Sequence, residues 1–331
     1  MKKIYIYLLV IFICVLIFLS AYVEEKEYFT DKKGIQSILN RSAGFYSMLF
    51  FTLNHYLYCK KNSLNFKIKS EDWLYKTDSG WTDYFKNTEI NFNENTEFEN
   101  KTHGDVIEEY PIKDYIDAIN QVYIYNDRTI EEINNVKNKF NLVNGMYDSI
   151  FIRRGDKLAG EATIILEGEY MKTLLSKKSN CSVVFLQTDD YNCFLSLQKY
   201  IKENNLEITL YTLCEEANSG TIVHNIQKNS LNNMANNSGH ANKEYVSSIL
   251  DKIDKTKAVE DMNKDEIYKH TLDMIIGIDI LINSNICISD YQSNVGRFIK
   301  LAHKNRNNVY NVLDPNNDIN YDTKKCPAHS F

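Results

Sequence analysis

The chain has 331 residues, with 38 Lys and Arg against 44 Asp and Glu and a formal net charge of -6. Its 44% hydrophobic and 12% aromatic residues supply cores for about two domains, and 12 Gly with 3 Pro exclude collagen-like or Pro/Gly-rich disorder. The acidic balance and the lack of a long basic run exclude a nucleic-acid partner, because neutralising phosphates needs clustered Lys and Arg.

Met1-Lys2-Lys3 precedes an uncharged apolar run from Ile4 to Val23, closed by Glu24-Glu25. About 20 helical residues span roughly 30 Å, the hydrocarbon thickness of a bilayer. The run exceeds the apolar part of a usual cleaved signal, and Leu19-Ser20-Ala21 is a poor cleavage site. It reads as a signal anchor, with a cleaved signal as the alternative. Lysines before the run and acids after it put residues 1–3 in the cytoplasm and the rest outside it, as in a single-pass type II membrane protein. In a eukaryotic or viral setting that means a lumenal domain in the Golgi or ER. Residues 24–39 read as a short stem.

Residues 35 to 75 read as a helical region, richest from Phe45 to Tyr58, followed by a strand at Leu64 to Ile68. The polar stretch from Asn87 to Asp105 has no periodicity and reads as a loop. Residues 114 to 141 carry helical spacing in Ile130, Ile133, Val136, Lys137 and Phe140. Apolar strands then alternate with helices. The strands are Ser149 to Ile152, Cys181 to Gln187, Glu207 to Leu213 and Asn285 to Ser289; the helices cover 163 to 177, about 191 to 204, 267 to 283 and 293 to 304. A polar insertion from Glu215 to Glu266 interrupts the series. This alternation predicts a parallel, doubly wound sheet whose ligand binds beyond the carboxyl ends of the strands.

Charged groups fall where that rule points. The first strand ends in Arg153-Arg154-Gly155-Asp156-Lys157, followed by Glu161; the second ends in Thr188-Asp189-Asp190; the last leads to Ser293-Asn294 at a helix start, with Arg297 one turn in. Two arginines after a buried strand need an anionic or acidic partner. A diphosphate fits, since guanidinium binds phosphate bidentately and a helix N-terminus adds backbone donors. An Arg–Asp network tying strand ends together fits as well. Arg154-Gly155-Asp156 is also the adhesion tripeptide, but it closes a buried strand instead of topping a flexible loop. Walker, dinucleotide and zincin motifs are absent. The seven cysteines show no zinc spacing and read as small buried hydrophobes, with at most one or two disulfides. His224, His240 and His270 read as surface or structural residues.

Arg153-Arg154-Gly155-Asp156-Lys157-Leu158-Ala159-Gly160-Glu161-Ala162 resembles the signature of the α-1,6-fucosyltransferases. Glu169-Tyr170-Met171, Val184-Phe185-Leu186-Gln187-Thr188-Asp189-Asp190 and Gln292-Ser293-Asn294-Val295-Gly296-Arg297 resemble later motifs of that family, in order and spacing. Trp73-Leu74-Tyr75, Gly80-Trp81 and Phe85 resemble its N-terminal half. The resemblance covers residues 40 to 315. It implies an α/β, GT-B-like fold of two Rossmann-like halves with mostly parallel sheets. An acceptor-side half would span 40–145, a nucleotide-sugar half 146–315, and a tail 316–331. It also implies GDP-fucose as co-substrate, a glycan or glycoprotein acceptor, and inversion at the sugar carbon with no metal or other cofactor.

The resemblance assigns roles residue by residue. Glu161 is the candidate base, with Lys157 as its partner. Arg153 would hold the β-phosphate and stabilise the leaving charge. Arg154, Asp156, Asn294 and Arg297 would line the donor, Tyr75 and Tyr170 would flank it, and Ser293 would hold phosphate at its helix start. Asp189 and Asp190 would serve the donor site or cap strand ends and orient the arginines. Three positions depart from the family: Phe151 replaces a His, Asn294 a Gln, and Gly277 a nucleotide-contacting Asp, with Asp273 and Asp279 on either side and Asp279 taken as the donor-site candidate. The long insertion implies an altered acceptor site. Two further readings stay open, a transferase with another nucleotide-sugar donor and a non-catalytic binding protein on the same scaffold.

Overall fold

The computed structural model describes residues 33–90, 96–155, 165–225 and 257–316. The apolar run Ile4 to Val23, most of the polar insertion and the chain's tail lie outside them. No helix among the described residues is long and apolar enough to cross a membrane.

The N-terminal half holds β1 (Lys33–Ile38), α1 (Phe45–Asn62), β2 (Asn65–Lys69) and β3 (Glu97–Lys101). These strands form a parallel sheet in the order β2-β1-β3. Helix α1 is buried on nearly every side because the sheet and other helices enclose it, which explains its dense run of Phe, Leu and Tyr. It stops at Ser63, whose left-handed backbone (φ 53°) turns the chain into β2. Two sequence expectations need correction here. The stretch read as stem and helix contains β1, the middle strand of the sheet, with Ile35 and Ser37 buried in alternation. The stretch read as loop contains β3, whose polar residues suit an edge strand with little burial.

The helical patterning over 114 to 141 divides into α2 (Ile112–Val122) and α3 (Asp127–Lys139). Between them the chain is extended, held by Lys86 N–H to the Ile124 carbonyl (2.7 Å) and Asn126 N–H to the Tyr84 carbonyl (3.1 Å). Asn126 then caps α3 by accepting from Thr129 N–H.

The C-terminal half follows as β4 (Asp148–Ile152), α4 (Glu167–Lys177), β5 (Val183–Thr188), α5 (Tyr191–Glu203), β6 (Thr209–Thr212), α6 (Lys264–Ile282), β7 (Cys287–Ser289), α7 (Asn294–Ala302) and β8 (Val309–Asn311). All five strands are parallel, in the order β6-β5-β4-β7-β8. Counted within this half, that is the 3-2-1-4-5 order of a Rossmann sheet, with its switch point between β4 and β7. The sheet is buried on both faces, as parallel sheets are. Ile150, Ile152, Val184, Leu186 and Ile288 face α4 and α5. Phe151, Phe185 and Cys287 face the other way, into a cluster that runs on into the N-terminal half. Across that junction the Phe298 ring of α7 lies 4.7 Å from both Tyr46 and Tyr123, and Tyr268 of α6 stacks on Tyr84 at 5.7 Å. The two halves therefore share one core.

Candidate functional site

The crevice beyond β4 and β7 collects the polar groups that end the strands. Arg153 and Arg154 follow β4 directly, yet their side chains do different things. Arg153 is half-buried; its guanidinium pairs with the Asp189 carboxylate after β5 and also donates to the Thr221 carbonyl (3.3 Å). Asp189 in turn accepts from Arg154 N–H (2.7 Å) and Thr221 N–H (2.8 Å). One carboxylate thus fixes the ends of β4 and β5 and the segment after β6.

Arg154 points into the protein and is 2% exposed. It donates to Glu167 Oε1 (2.6 Å) and to the Ile165 carbonyl (2.7 Å). Glu167 also accepts from Ser196 Oγ (3.2 Å) on α5. Burial pushes the Glu167 carboxyl up, but the charge and hydrogen bond of Arg154 more than reverse this, so its pKa lies below the ordinary value. The turn that follows the arginine pair needs Gly155, whose φ is +64°. A side chain there would run into the Thr221 backbone, and Gly220 (φ +107°), next to Thr221 in the same segment, abuts the Gly155 backbone.

Across the switch point, Asp290 is 5% exposed and accepts from Gln292 N–H (2.8 Å) and from the Gln292 amide (3.1 Å). Burial pushes its carboxyl up, against those hydrogen bonds and the charges of Arg154 and Arg297. Ser293 is the N-cap of α7, its Oγ accepting from Gly296 N–H (3.1 Å). Arg297 is braced by the Tyr291 carbonyl (2.9 Å) and by Asn294 Oδ1 (3.1 Å). Helix α6 forms the remaining wall. Its His270 is pushed down to about 4 by burial and by the charges of Arg153 and Lys269, so it is neutral at pH 7.

The structure thus brings together Arg153, Arg154, Asp189, Ser293, Asn294 and Arg297 at the carboxyl edge of the sheet. Asp190 sits there too, as the N-cap of α5, accepting from Asn192 N–H (2.9 Å). Of the two roles weighed for the paired acids, both are seen making strand-end caps. Asp156, Lys157 and Glu161 lie outside the described residues. Three residues are placed elsewhere. Tyr75 is 3% exposed in the aromatic core beside Phe45 and Trp73, its phenol accepting from Phe45 N–H (3.3 Å). Tyr170 is 1% exposed on the inner side of α4, near Arg154. Neither ring faces open space. Asp279 is near the far end of α6, where Lys137 Nζ of α3 pairs with it at 2.5 Å, so its charge serves the amino end of the sheet.

Sequence reading missed Glu167, Thr221 and His270. Glu167 lies 13 residues past Arg154, and only its place as first residue of α4, where a carboxylate suits the helix dipole, hints at it. Thr221 contributes backbone atoms, which no side-chain pattern reveals. His270 carries no ligand spacing. The five described cysteines, Cys59, Cys181, Cys193, Cys214 and Cys287, are free and buried. Among the described residues no group of three or more His, Cys, Asp or Glu side chains is arranged to hold a metal ion.

A Rossmann-type sheet with cationic and helix-N-terminal groups at its switch point defines an α/β protein of GT-B-like architecture. No family model and no curated protein matches the sequence. Solved structures do resemble the fold. A structure of NodZ α-1,6-fucosyltransferase soaked with GDP-fucose is 7% identical, covers 87% of this chain and 98% of its own, and superposes with a TM-score of 0.51. Two structures of fucosyltransferase NodZ from Bradyrhizobium, one with selenomethionine, are each 9% identical. Their TM-scores are 0.49 and 0.47, with 87% and 82% of this chain covered, and 98% and 93% of theirs. At these identities the likeness is one of fold.

Proposed function

We propose that the chain is an inverting glycosyltransferase that takes fucose from GDP-fucose to a glycan acceptor, in α-1,6 linkage. The observation that carries this reading is Arg153, held by Asp189 at the carboxyl end of β4, the strand that borders the switch point of a Rossmann-type sheet. A guanidinium there replaces a metal in binding a β-phosphate and stabilising the leaving diphosphate. Support comes also from the whole-chain fold likeness to a fucosyltransferase soaked with GDP-fucose and from the ordered sequence motifs. Glu161, with Lys157 beside it, is the proposed base that removes the acceptor hydroxyl proton. Arg154 takes a different part from the one the family pattern assigns: its charge is committed to Glu167, and it holds the strand end from which Arg153 projects. The apolar run Ile4 to Val23 is proposed as a type II membrane anchor, with the catalytic part outside the cytoplasm, in the lumen of the Golgi or ER in a eukaryotic or viral setting.

A second reading, a transferase with another nucleotide-sugar donor, is favoured by Phe151 and Gly277, apolar where the family pattern has polar contacts. One experiment separates the two. The full chain in mild detergent is titrated calorimetrically with GDP-fucose, GDP-mannose and UDP-sugars, alongside Arg153→Ala. Selective GDP-fucose binding that Arg153→Ala weakens by about 100-fold or more, the loss of a charged phosphate contact, is the expected result. Selective binding of another donor moves the conclusion to the second reading, and the absence of any binding sinks both.

A further inference from the structure

The carboxyl edge of β5 carries a polar group that the ion-pair network leaves out. Gln187 is the next-to-last residue of β5 and stands directly opposite Phe151 of β4. It shares the sheet face of Phe151 and Phe185, toward α6, and is itself half-buried. Its amide oxygen is shielded from water, yet among the described residues nothing donates a hydrogen bond to it. A buried acceptor without a donor is costly, and native proteins seldom keep one without a reason. The space that holds this amide exists because residue 277, well inside α6, is glycine: any side chain there would overlap the Gln187 carboxamide. Glycine in a helix interior weakens the helix, so its place here calls for a reason in packing or function.

We infer that Gln187 is the residue that selects the nucleobase of the donor, its carboxamide pairing with a base edge that carries an N–H next to a carbonyl, as guanine does. The inference rests on the nucleotide-sugar reading of the site. A carboxamide places an acceptor and N–H donors side by side, the complement of such a lactam edge. The terminal torsion of a glutamine is soft, so the carboxamide rotates in place at little cost, and a ligand's N–H would supply the donor that the oxygen lacks. Two residues further along the chain, Asp189 grips Arg153, so base and diphosphate are read from adjacent strand ends.

The test titrates the full chain with GDP, with GDP methylated at N1 of the base, and with inorganic pyrophosphate. Wild type is expected to prefer GDP over the methylated form by about tenfold, the worth of a well-made hydrogen bond with its neighbour. Gln187→Leu should bind the two nucleotides equally while keeping wild-type affinity for pyrophosphate. Gln187→Met, of matching length, must behave the same way and stands in if Gln187→Leu does not fold. A preference for GDP that survives both substitutions overturns the inference, as does an equal loss of GDP and pyrophosphate. Failure of the underlying reading looks different: wild type then binds no nucleotide, or binds it equally well after Arg153→Ala.

Discussion

The five-stranded sheet carries ion pairs at both of its ends, and the two ends differ in kind. At the amino end Lys137 meets Asp279 at 2.5 Å, and Lys178 meets the Asp148 carboxylate at 2.7 Å. These pairs join one helix to another, or one helix to one strand. At the carboxyl end the charges form a layered set: Arg154 and Glu167 lie beneath, Arg153 and Asp189 above, and two abutting glycines clamp the loops between. A buried ion pair is therefore no mark of a site by itself. What separates the two ends is topology, because only the carboxyl end opens on the switch point between β4 and β7.

The strongest way to break this comparison is to remove one partner of a buried pair. Glu167→Ala should cost about 3–5 kcal/mol of stability, because it strands the Arg154 charge in the interior. Asp279→Ala should cost the same order, about 3 kcal/mol, for the same reason, while leaving GDP binding unchanged. Urea unfolding and nucleotide titration of both variants check this. If Asp279→Ala lost GDP binding with its fold intact, the two ends would not be separable in function.

Acid sharpens the contrast. His270 at the carboxyl end and His303 at the amino end are both pushed down to about 4, in each case chiefly by burial. Below the ordinary histidine value of about 6.5 the unfolded chain takes up protons that the folded chain refuses. Stability should therefore fall between about pH 6.5 and 4, by up to about 1.4 kcal/mol per pH unit for each group. Asp273 and Asp290, whose carboxyls burial pushes up, offset part of that loss at the acid end. Urea midpoints at pH 7.5, 6 and 5 measure the slope, and His303→Gln should flatten it. A midpoint independent of pH would contradict the lowered histidine pKa values from which the slope follows.

Gly155→Ala is expected to cost about 1–3 kcal/mol, since it adds a side chain at positive φ against the Thr221 backbone. The smallest effect is the most local. Burial is the main cause of the low His270 pKa and the Arg153 charge the next, so a diphosphate bound beside Arg153, as proposed, should raise the His270 pKa and leave that of His303 alone, as read from ring proton shifts in NMR.

The sequence made some of this legible and hid the rest for physical reasons. Val183–Thr188 is apolar on both faces, and such a run has few readings other than a buried strand. Glu97–Lys101 was hidden because an edge strand needs few apolar residues, and Lys33–Ile38 because its six residues include only two large apolar ones, Ile35 and Ile38. The acid partner of Arg153 could be anticipated, since Asp189 ends the neighbouring strand. That of Arg154 could not, because Glu167 lies 13 residues away on the following helix and no local spacing links the two. The crevice wall formed by α6 depends on how far a 19-residue helix overshoots short strands, which periodicity does not report.

The seating of Phe298 between Tyr46 and Tyr123 has a consequence for biosynthesis. The first half of the chain leaves the ribosome with its aromatic core still open, because the ring that completes it is made roughly 175 residues after Tyr123. At about 5–20 residues per second that is a wait on the order of 10–35 s. Throughout that interval α1, with its dense apolar surface, is without its final neighbour. A truncation before residue 294 would leave the N-terminal half without the ring that finishes its core.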